Sequence, residues 1–567
     1  MELAIDVRTE RPQVGLAALA PKYSRRITSV LFGMACVAAA TVAQAQQSSG
    51  LDAAAGSTAD TPWLPAVIAA VDEYVPSPAF NGGRFSLDHF ADSNSADQEG
   101  LVTAQLANGN IVVAGLVPDG TADAGACGDG TRLCSIGLVR YTPTGQRVTW
   151  PNAGANGRFS NNYVVYPQPG FNKFQYLRDV KVRGNYIDVM VDEPDVNHAA
   201  LTLGHRNVRI VTFRDDGSFL SQWGIFGVQN QSGGTDSEDF YGAQMVQMNS
   251  TQMIAVATAY DSFGPYVAVT RLAILGNGAL SLDSSWGTSY GGGDGFNRLI
   301  RYYAPSSYCG GGDCDATASY VAKQEGFPVQ TDFYVAGSMH ISGNNWDPYA
   351  LKISSADGST KSEFNSTGWS RVAFDDANSS LDDRAAGLYV YQDDVYLAAQ
   401  VSRKCFPGVG IAKINGATGA DNIAFGSGGK TVFGGQGNAM ICFSPPGGDY
   451  PTAISATGGR IGIAGYRHHG LTGISNLYDP MLAVVNAVNG SVLDFDFHAV
   501  NRADGTRYGD AVLYGIYGGP LPTSPFTVAG NGRDALSGNT LSYITGRLIP
   551  VSSDRIFTSG FGAGDEL

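Results

Sequence analysis

The sequence predicts an all-β protein: a seven-bladed β-propeller of four-stranded antiparallel blades, its ring closed by an N-terminal strand. Three observations predict this fold, namely the composition, a repeat of short apolar segments, and the points at which the repeat begins and ends. Charged residues make up 15% of the 567 residues, and 74 residues are glycine. Typical soluble proteins have about 25% charged residues and about 7% glycine. Few charges and many glycines suit short strands joined by turns.

The repeat consists of two short segments that return about every 70 residues. The first is an apolar run after a turn signal, as in GNIVVAG at Gly109, DFYVAGS at Asp332 and GRIGIAG at Gly459. The second is a strand that ends in a tight turn, as in LVRYTPTG at Leu138 and IAKINGATG at Ile411. Short runs rich in Val, Ile and Tyr and bounded by Gly, Asn or Asp are typical of strands. About four strands per repeat indicate propeller blades, which must stack to bury their faces.

The limits of the repeat predict one propeller domain over residues 79–567. The domain opens with AFNGGRFSLDHF at Ala79, a pattern that elsewhere ends a repeat, and the last repeat stops soon after DRIFTSGF at Asp554. The first strand would therefore complete the final blade and remove an exposed sheet edge. An open solenoid or two smaller β domains is the alternative architecture.

Residues 1–45 are predicted to be a secretory signal peptide. The segment SRRITSVLFGMACVAAATVAQAQQ at Ser24 has a basic flank, an apolar run and small residues before a cleavage site after Ala45. Residues 46–78 would then be a linker, and the mature protein is expected in the periplasm or outside the cell. A lipoprotein modified at Cys36 and a membrane anchor are alternatives, although the apolar run is shorter than the roughly 20 residues that span a bilayer. No later segment is long enough to span one.

Six cysteines remain after removal of Cys36, and an even number in an exported chain suggests disulfides. The segments CGDGTRLC and CGGGDC each place two cysteines around a short loop that contains glycine, which leaves the last two to pair with each other. The predicted disulfide cysteines are Cys127, Cys134, Cys309, Cys314, Cys405 and Cys442. Metal binding is the alternative, but the spacings do not fit paired zinc knuckles and no histidine lies at ligand spacing.

The segments FGSGGK at Phe425, GNIVVAG at Gly109 and LVRYTPTG at Leu138 together resemble the delta-sixty repeat family of exported bacterial β-propellers. The resemblance covers nearly the whole mature chain and is weakest near residues 185–217 and 500–550. It implies propeller architecture and export. It implies no catalytic residues.

The long connections between strands are expected to share one end of the blades. Successive antiparallel strands alternate in direction, so their connections fall alternately on opposite ends, with the short hairpin turns together on one of them. Loops on a rigid scaffold usually carry the function, so the long-connection face and the channel mouth are the first candidate site. The long connections contain all six cysteines and five histidines: His198, His205, His340, His468 and His469.

No motif predicts a reaction, so catalytic residues and metal ligands stay unknown and enzymatic activity stays uncertain. The one Gly-x-Ser-x-Gly match, GTSYG at Gly287, runs into a glycine-rich stretch rather than the helix that a nucleophile elbow requires, and no glycine-rich phosphate loop opens a helix. Adjacent histidines such as His468 and His469 could ligate a metal, but neighbours in an extended segment point opposite ways. No cofactor is predicted beyond calcium, which two acidic loops could bind, although solvated loops are the favoured interpretation. The loop acids are Asp236, Glu238, Asp239, Asp375, Asp376, Asp382 and Asp383.

A cation recurs in the second segment, at Arg140, Arg271, Lys352 and Lys413. The alternation of side chains along a strand places this cation on one face of the blade. We expect it to pair with an acidic residue of the next blade, rather than to form a ring of binding charges.

These observations predict an exported, monomeric binding or interaction scaffold for a glycan, a cell-envelope component or a protein. The net charge of −15 argues against a nucleic acid partner, which would need a clustered basic surface. Exposed aromatic residues would suit a sugar or peptide ligand, and the candidates are Trp346, Tyr302, Tyr303 and Tyr450. The alternatives are a hydrolase or lyase that acts on an extracellular polymer at the channel mouth, and a purely structural surface module. An enzyme should bring acidic, histidine or tyrosine side chains from several blades together there.

Overall fold

A computed structural model describes most of the chain after residue 70. The described residues are 71–82, 86–88, 99–117, 134–151, 163–166, 174, 176–194, 206–226, 239–261, 264–290, 297–309, 314–323, 332–342, 345–374, 382–391, 393–402, 406–434, 448–468, 478–497, 511–519, 524–533 and 541–552. The predicted signal peptide and most of the predicted linker lie outside them. The strands belong to one compact unit, Leu64–Leu567.

The strands form antiparallel sheets in which strand order follows chain order. Each sheet starts with an inner strand, and these strands are β3 (Glu99–Gln105), β7 (Tyr176–Arg183), β11 (Asp239–Asn249), β17 (Ala316–Ala322), β21 (Arg384–Tyr391), β25 (Gly448–Thr457) and β29 (Ala511–Gly518). The second strands are β4 (Ile111–Val117), β8 (Tyr186–Pro194), β12 (Gln252–Asp261), β18 (Asp332–Ser342), β22 (Asp394–Val401), β26 (Arg460–His468) and β30 (Phe526–Arg533).

The third strands are β5 (Ser135–Tyr141), β9 (Arg206–Arg214), β13 (Gly264–Ile274), β19 (Asn345–Ser354), β23 (Gly408–Asn415), β27 (Tyr478–Asn486) and β31 (Leu541–Ser552). The outer strands are β6 (Tyr163–Tyr166), β10 (Phe219–Phe226), β16 (Asn297–Tyr302), β20 (Trp369–Arg371), β24 (Lys430–Phe433) and β28 (Val492–Phe497). Two short strands, β14 (Leu280–Leu282) and β15 (Thr288–Tyr290), extend the sheet of β11. The prediction of an all-β propeller built from four-stranded antiparallel blades is confirmed.

The sheet that begins with β29 takes its outer strands from the other end of the chain. Strands β1 (Val71–Pro76) and β2 (Ser86–Asp88) both pair antiparallel with β31. Strand β1 therefore lies in the segment assigned to the linker, ahead of the predicted boundary at residue 79. Tyr74 explains this placement, because its side chain is fully buried with its ring centroid 5.4 Å from that of Phe526.

The hydrophobic cores lie between neighbouring sheets. Val112 and Leu138 of one sheet pack with Val189 and Phe213 of the next, and similar clusters join the following sheets. The middle strands are buried on both faces, as the unbroken burial of β4 and β5 shows. Among the described residues the single helical element is a 3-10 turn, Ser306–Tyr308, and none forms a helix that could cross a bilayer.

Every inner strand is interrupted by a β-bulge near its start. The pairing with the second strand shifts between Gly100 and Val102, Leu177 and Asp179, Gly242 and Met245, Ala318 and Tyr320, Ala385 and Gly387, Pro451 and Ala453, and Leu513 and Gly515. A bulge bends the strand and turns a side chain to a new direction. Because the bulge recurs at the same place in each of these strands, the bend is a regular part of the repeat.

The glycine that ends the first repeated segment lies opposite this bulge. Gly337 pairs with Ala318, and a Cβ at Gly337 would overlap the carbonyl oxygen of Thr317. Gly465 and Gly530 have the same position in their sheets, and a Cβ there would also overlap an inner-strand carbonyl oxygen. The repeated Val-Ala-Gly pattern therefore reflects a close backbone approach at the bulge.

The recurring cation of the second segment joins each sheet to the next, by a contact that differs from the predicted one. The Lys413 ammonium donates to the carbonyl of Ala487 in the hairpin turn of the next sheet, at 3.2 Å. Its acidic partner is Asp394 of its own sheet, at 2.9 Å. Lys352 repeats the arrangement with the carbonyl of Gly416 at 2.9 Å and with Asp332 at 3.5 Å. For these two lysines the expected pairing with an acid of the next sheet is wrong.

The two arginines of the set also reach backbone carbonyls of the next sheet. Arg140 donates to the carbonyl of Asp215 at 3.0 Å, and Arg271 donates to that of Ser355 at 2.6 Å. A hairpin turn leaves carbonyl oxygens without a partner in the sheet, and a buried carbonyl needs a donor. The turn backbone, rather than an acidic side chain, therefore selects the cation. We call this contact the intersheet cation bond.

Replacement of Gly337 by alanine should destabilise the protein by about 1–3 kcal/mol, because the added Cβ forces the inner strand away at the bulge. Urea unfolding of G337A and wild type measures the difference. Gly276→Ala is the control, since a Cβ at this turn residue meets no atom within 4 Å. Equal losses in both variants would contradict the role assigned to the bulge.

Replacement of Lys413 by methionine should lower the free energy of unfolding by about 1–3 kcal/mol, because it removes a charged donor between two sheets and keeps the apolar stem. The control is Lys430→Met on outer strand β24, whose ion pair with Asp421 lies within one sheet. That variant should lose less than about 1 kcal/mol. Thermal unfolding at neutral pH measures both, and an equal effect would rule out a special role for the intersheet cation bond.

Candidate functional site

A cavity of about 880 Å³ lies between the inner strands. Its wall contains residues from β3, β7, β11, β17, β21, β25 and β29, with Thr258 and Tyr260 added by β12. Each inner strand lies against the inner strand of the following sheet, and β29 lies against β3. The cavity is therefore shared by all the sheets, and no single sheet contains the site.

The bulges contribute side chains to this wall. Arg178, Ser319, Thr452 and Tyr514 each occupy the extra position of a bulge, and Gln244 lies within the bulge of β11. All five residues line the cavity. Because a bulge redirects the side chain that it inserts, the feature that bends each sheet also supplies the wall of the site.

The wall formed by β7, β11 and β17 is cationic and rich in amides. Arg178, Lys181 and Lys323 lie here, together with Gln244 and Gln247. The Nε atom of Arg178 donates to Asp192 at 2.8 Å, and the Lys323 ammonium donates to the carbonyl of Met248 at 3.0 Å. These bonds hold both cations in fixed directions.

The wall formed by β21, β25 and β29 is aromatic and aliphatic. Tyr389, Ile454, Tyr514, Ile516 and Tyr517 line this side. Tyrosine offers a flat apolar ring together with a polar hydroxyl, so this wall can contact apolar and polar parts of one ligand. The two sides of the cavity therefore differ in their chemistry.

Tyr320 connects the two sides. Its hydroxyl donates to the carbonyl of Thr452 at 3.4 Å, although β17 and β25 belong to sheets that are separated by the sheet of β21. Burial raises the pKa of Tyr320 well above its ordinary value, so the hydroxyl stays protonated and acts as a donor. This side chain narrows the cavity between the two walls.

Asp179 is the one carboxylate among the described lining residues, and its oxygens are used in contacts that hold the strands together. Its side chain is 1% exposed and accepts backbone N–H bonds from Val180 at 2.9 Å and Met245 at 2.8 Å. Lys181 lies 3.3 Å from it. Burial raises the pKa of Asp179, while Lys181 and the two N–H donors act in the opposite direction. The carboxylate joins β7 to β11 and points its oxygens at backbone donors.

The predicted cysteines fall partly within the described residues. The disulfide between Cys309 and Cys314 is confirmed. Cys134 is also disulfide-bonded, whereas Cys127, Cys405 and Cys442 lie outside the described residues. The bonded pair follows the 3-10 turn that leads into β17, so it constrains a connection beside the cavity wall.

Of the five predicted histidines, the two within the described residues, His340 and His468, lie in different sheets. His340 lies near the end of β18 with its ring centroid 5.2 Å from that of Trp346, and His468 ends β26 with its ring stacked on Tyr478 at 4.9 Å. His198, His205 and His469 lie outside the described residues.

The aromatic candidates prove to have different environments. Tyr302 is buried, and its hydroxyl donates to the carbonyl of Gly358 at 2.6 Å, so its predicted exposure is wrong. Tyr303 is exposed beside Tyr266. Trp346 and Tyr450 are half-buried. Trp346 packs under the Arg384 guanidinium, and Tyr450 stacks on Tyr466.

The acidic loops give no cation site in the described part of the chain. Asp383 is buried and accepts N–H bonds from Phe374 and Ser402, while Asp382 pairs with Arg384 at 2.9 Å. Asp239 is the first residue of β11. No group of three or more possible metal ligands occurs among the described residues. Asp236, Glu238, Asp375 and Asp376 lie outside them.

Sequence reasoning missed the inner wall because the inner strands precede the repeated segments and vary more than those segments. YLRDVKVR at Tyr176 and ATASYVAK at Ala316 share no residue pattern. Their position in the chain could have identified them, since each stretch directly precedes a first repeated segment.

Replacement of Asp179 by asparagine should destabilise the protein by about 1–3 kcal/mol, because an amide N–H₂ would face a backbone N–H. The raised pKa sets the pH dependence. The carboxyl contributes most stability below its unfolded-state pKa of 3.8, and this contribution is lost as the pH rises through the folded-state value. The free energy of unfolding, measured in urea, should therefore differ more between wild type and D179N at pH 4 than at pH 7.

Asp357→Asn is the control for this pH dependence. Its carboxylate is exposed, and hydrogen bonds from Ser359 and Ser354 lower its pKa to about 2. Its contribution should therefore be the same or slightly smaller at pH 4 than at pH 7, the opposite trend to that of Asp179. If the difference in unfolding free energy between wild type and D179N did not change with pH, the effect assigned to the burial of Asp179 would be contradicted.

The sequence matches no protein-family model and no curated protein. Several solved structures are similar in backbone. An ulvan lyase of polysaccharide lyase family PL25, bound to -[GlcA(1-4)Rha3S]-, is 12% identical, with 82% of this chain and 98% of that chain covered and a TM-score of 0.38. The S. cerevisiae core factor is 9% identical over 88% of this chain, with a TM-score of 0.39, and the match spans 65% of that chain. The subtype N11 neuraminidase-like protein of A/flat-faced bat/Peru/033/2010 (H18N11) is 7% identical over 86% of this chain and 98% of that chain, with a TM-score of 0.34.

Proposed function

We propose that this chain is an exported, seven-bladed β-propeller that binds a glycan in the cavity between its inner strands. The contact of β29 with β3 and the pairing of β1 with β31 support a ring of seven sheets that is closed by the N-terminal strand. The disulfide between Cys309 and Cys314 supports an oxidising location, in the periplasm or outside the cell.

The remaining features of the proposal come from the sequence. The signal peptide over residues 1–45 directs export, and further disulfides join Cys127 to Cys134 and Cys405 to Cys442. The protein acts as a monomer. The resemblance to the delta-sixty repeat family agrees with export. Mass mapping of the mature protein tests the cleavage site and the disulfides, and sedimentation tests the monomer.

The observation that carries the proposal is the chemistry of the cavity wall. Tyrosines from several sheets line it, and amides and cations join them on the β7, β11 and β17 side. The lining tyrosines are Tyr241, Tyr260, Tyr320, Tyr389, Tyr514 and Tyr517. Sugars present apolar ring faces and many hydroxyls, which match aromatic rings and amide groups respectively. Binding sites are concave and combine such apolar surface with a few fixed polar groups.

The alternative, a hydrolase or lyase, finds less support in the same wall. Glycoside hydrolysis ordinarily needs two carboxyl groups on either side of the scissile bond. The described lining residues contain one, Asp179, whose oxygens are engaged by backbone N–H groups. Tyr320 is held in its protonated form, which suits a hydrogen-bond donor rather than a base. Binding therefore accounts for the wall better than catalysis.

Glycan-array screening followed by calorimetry tests this function. Tyr517→Ala should weaken the binding of the best glycan by about tenfold or more, since truncation of a buried aromatic contact gives losses of this size. Tyr303→Ala is the matched control, because it removes an exposed tyrosine outside the cavity wall. A parallel assay should detect no new reducing ends or unsaturated products from the bound polymer.

Three results would overturn the proposal. The first is the absence of any glycan ligand, and the second is equal affinity in the Tyr517→Ala and wild-type proteins. The third is turnover of the polymer, which would replace the binding function by the hydrolase or lyase alternative.

A further inference from the structure

The two walls of the cavity differ in charge as well as in polarity. The described lining residues include three cations, Arg178, Lys181 and Lys323, and one carboxylate, Asp179. The whole chain has a net charge of −15. The cations lie on β7 and, as Lys323, just after β17, on one side of the cavity. Asp192 and Asp179 pair with two of them, so this side keeps an excess charge of +1 inside a protein that is acidic as a whole.

The cations are held by contacts with other elements. Asp192 of β8 accepts both Nε and a terminal N–H of Arg178 and also accepts the N–H of Gly242, while the Arg178 guanidinium lies 4.7 Å from the ring centroid of Tyr176. Lys323 is oriented by the carbonyl of Met248. Side chains that are fixed in this way lose little conformational entropy when a ligand binds.

Two of these side chains keep access to solvent in the cavity. The side chain of Arg178 is 27% exposed and that of Lys181 is 35% exposed. The amide oxygen of Gln244 accepts the N–H of Val321, which fixes its orientation between β11 and β17. An ammonium carries three donors and a guanidinium five, so these groups can recognise an anion and keep their structural bonds.

We propose that the ligand of the cavity is an acidic glycan, with its carboxylate or sulfate groups on the β7 and β17 side and its apolar sugar faces on Tyr514, Ile516 and Tyr517. This inference rests on the glycan-binding function proposed above and names the substrate class. The opposed walls match a polymer that is anionic along one edge and apolar along the other.

Other polyanions fit this cavity less well. A nucleic acid duplex would be repelled by the acidic surface and needs clustered basic residues outside the cavity. A polyglutamate chain carries the charge but has no flat apolar face for the tyrosine wall. The combination of a fixed cation and an opposed aromatic ring therefore selects a charged sugar.

Calorimetry with hexagalacturonate and maltohexaose at about 0.05 M and 0.3 M salt tests the charge of the ligand. Hexagalacturonate should bind at least about tenfold more tightly than maltohexaose at the lower salt, and the ratio should fall at the higher salt because screening weakens charge attraction. Lys323→Gln should weaken hexagalacturonate binding by about tenfold, and by a larger factor than maltohexaose binding, since a hydrogen bond to a charged group is worth this much.

Lys430→Gln is the matched control, because it removes the same charge on an outer strand that does not line the cavity. It should change neither affinity by more than about twofold. The ratio between the two sugars in the wild-type protein keeps the test valid even if the Lys323 variant fails to fold.

The outcomes separate this inference from the function on which it rests. Equal or tighter binding of maltohexaose would overturn the acidic ligand and leave glycan binding intact. Binding of polyglutamate with neither sugar bound would overturn both. An affinity ratio that salt does not change, or an equal loss in the two lysine variants, would overturn the assignment of Lys323.

Discussion

The intersheet cation bond is the directional contact on which the stacking of the sheets depends. Backbone hydrogen bonds satisfy each sheet internally, and the apolar packing between sheets has no preferred direction. A charged donor that bonds to one carbonyl in a neighbouring turn does impose a direction. Such charge-assisted bonds are also short and strong. Lys352 and Lys413 each combine this bond with an acid of their own sheet, which offsets the penalty of burying an ammonium.

A cation also reaches the next sheet where the second segment has no lysine or arginine at this position. In the sheet of β7 the position is Thr212, and the cation is supplied instead by Arg183, which donates to the carbonyl of Gly278 in the next sheet at 2.9 Å. Arg183 and Thr212 both bond to Asp188. The sheet of β25 uses Arg460, whose guanidinium donates to the hydroxyl of Tyr74 on β1. Both sheets therefore keep a cation that reaches the next sheet, although Arg460 meets a hydroxyl instead of a backbone carbonyl.

The fold could be predicted from the sequence because its signals are local. Gly109, Gly145, Gly217 and Gly278 occupy turns with positive φ, so the turn pattern of the repeat marked real hairpin ends. The partner of the recurring cation could not be predicted, because a backbone carbonyl leaves no mark in the residue identities. The exposure of Tyr302 was misjudged for a related reason, since its hydroxyl bonds to the backbone of Gly358 in the next sheet. The side chains that line the cavity could not be predicted, because they depend on the register shifts at the bulges, and the spacing of sequence segments does not reveal these shifts.

The pairing of β1 with β31 has a consequence for how the chain reaches its final state. Residues 71–76 and 541–552 meet in one sheet, so nearly the whole polypeptide separates two strands that are neighbours in space. Such a sheet cannot be completed until synthesis has passed residue 541, and contacts of this sequence separation form slowly. The two ends of the chain therefore pair late, after the strands of the intervening sheets have been synthesised.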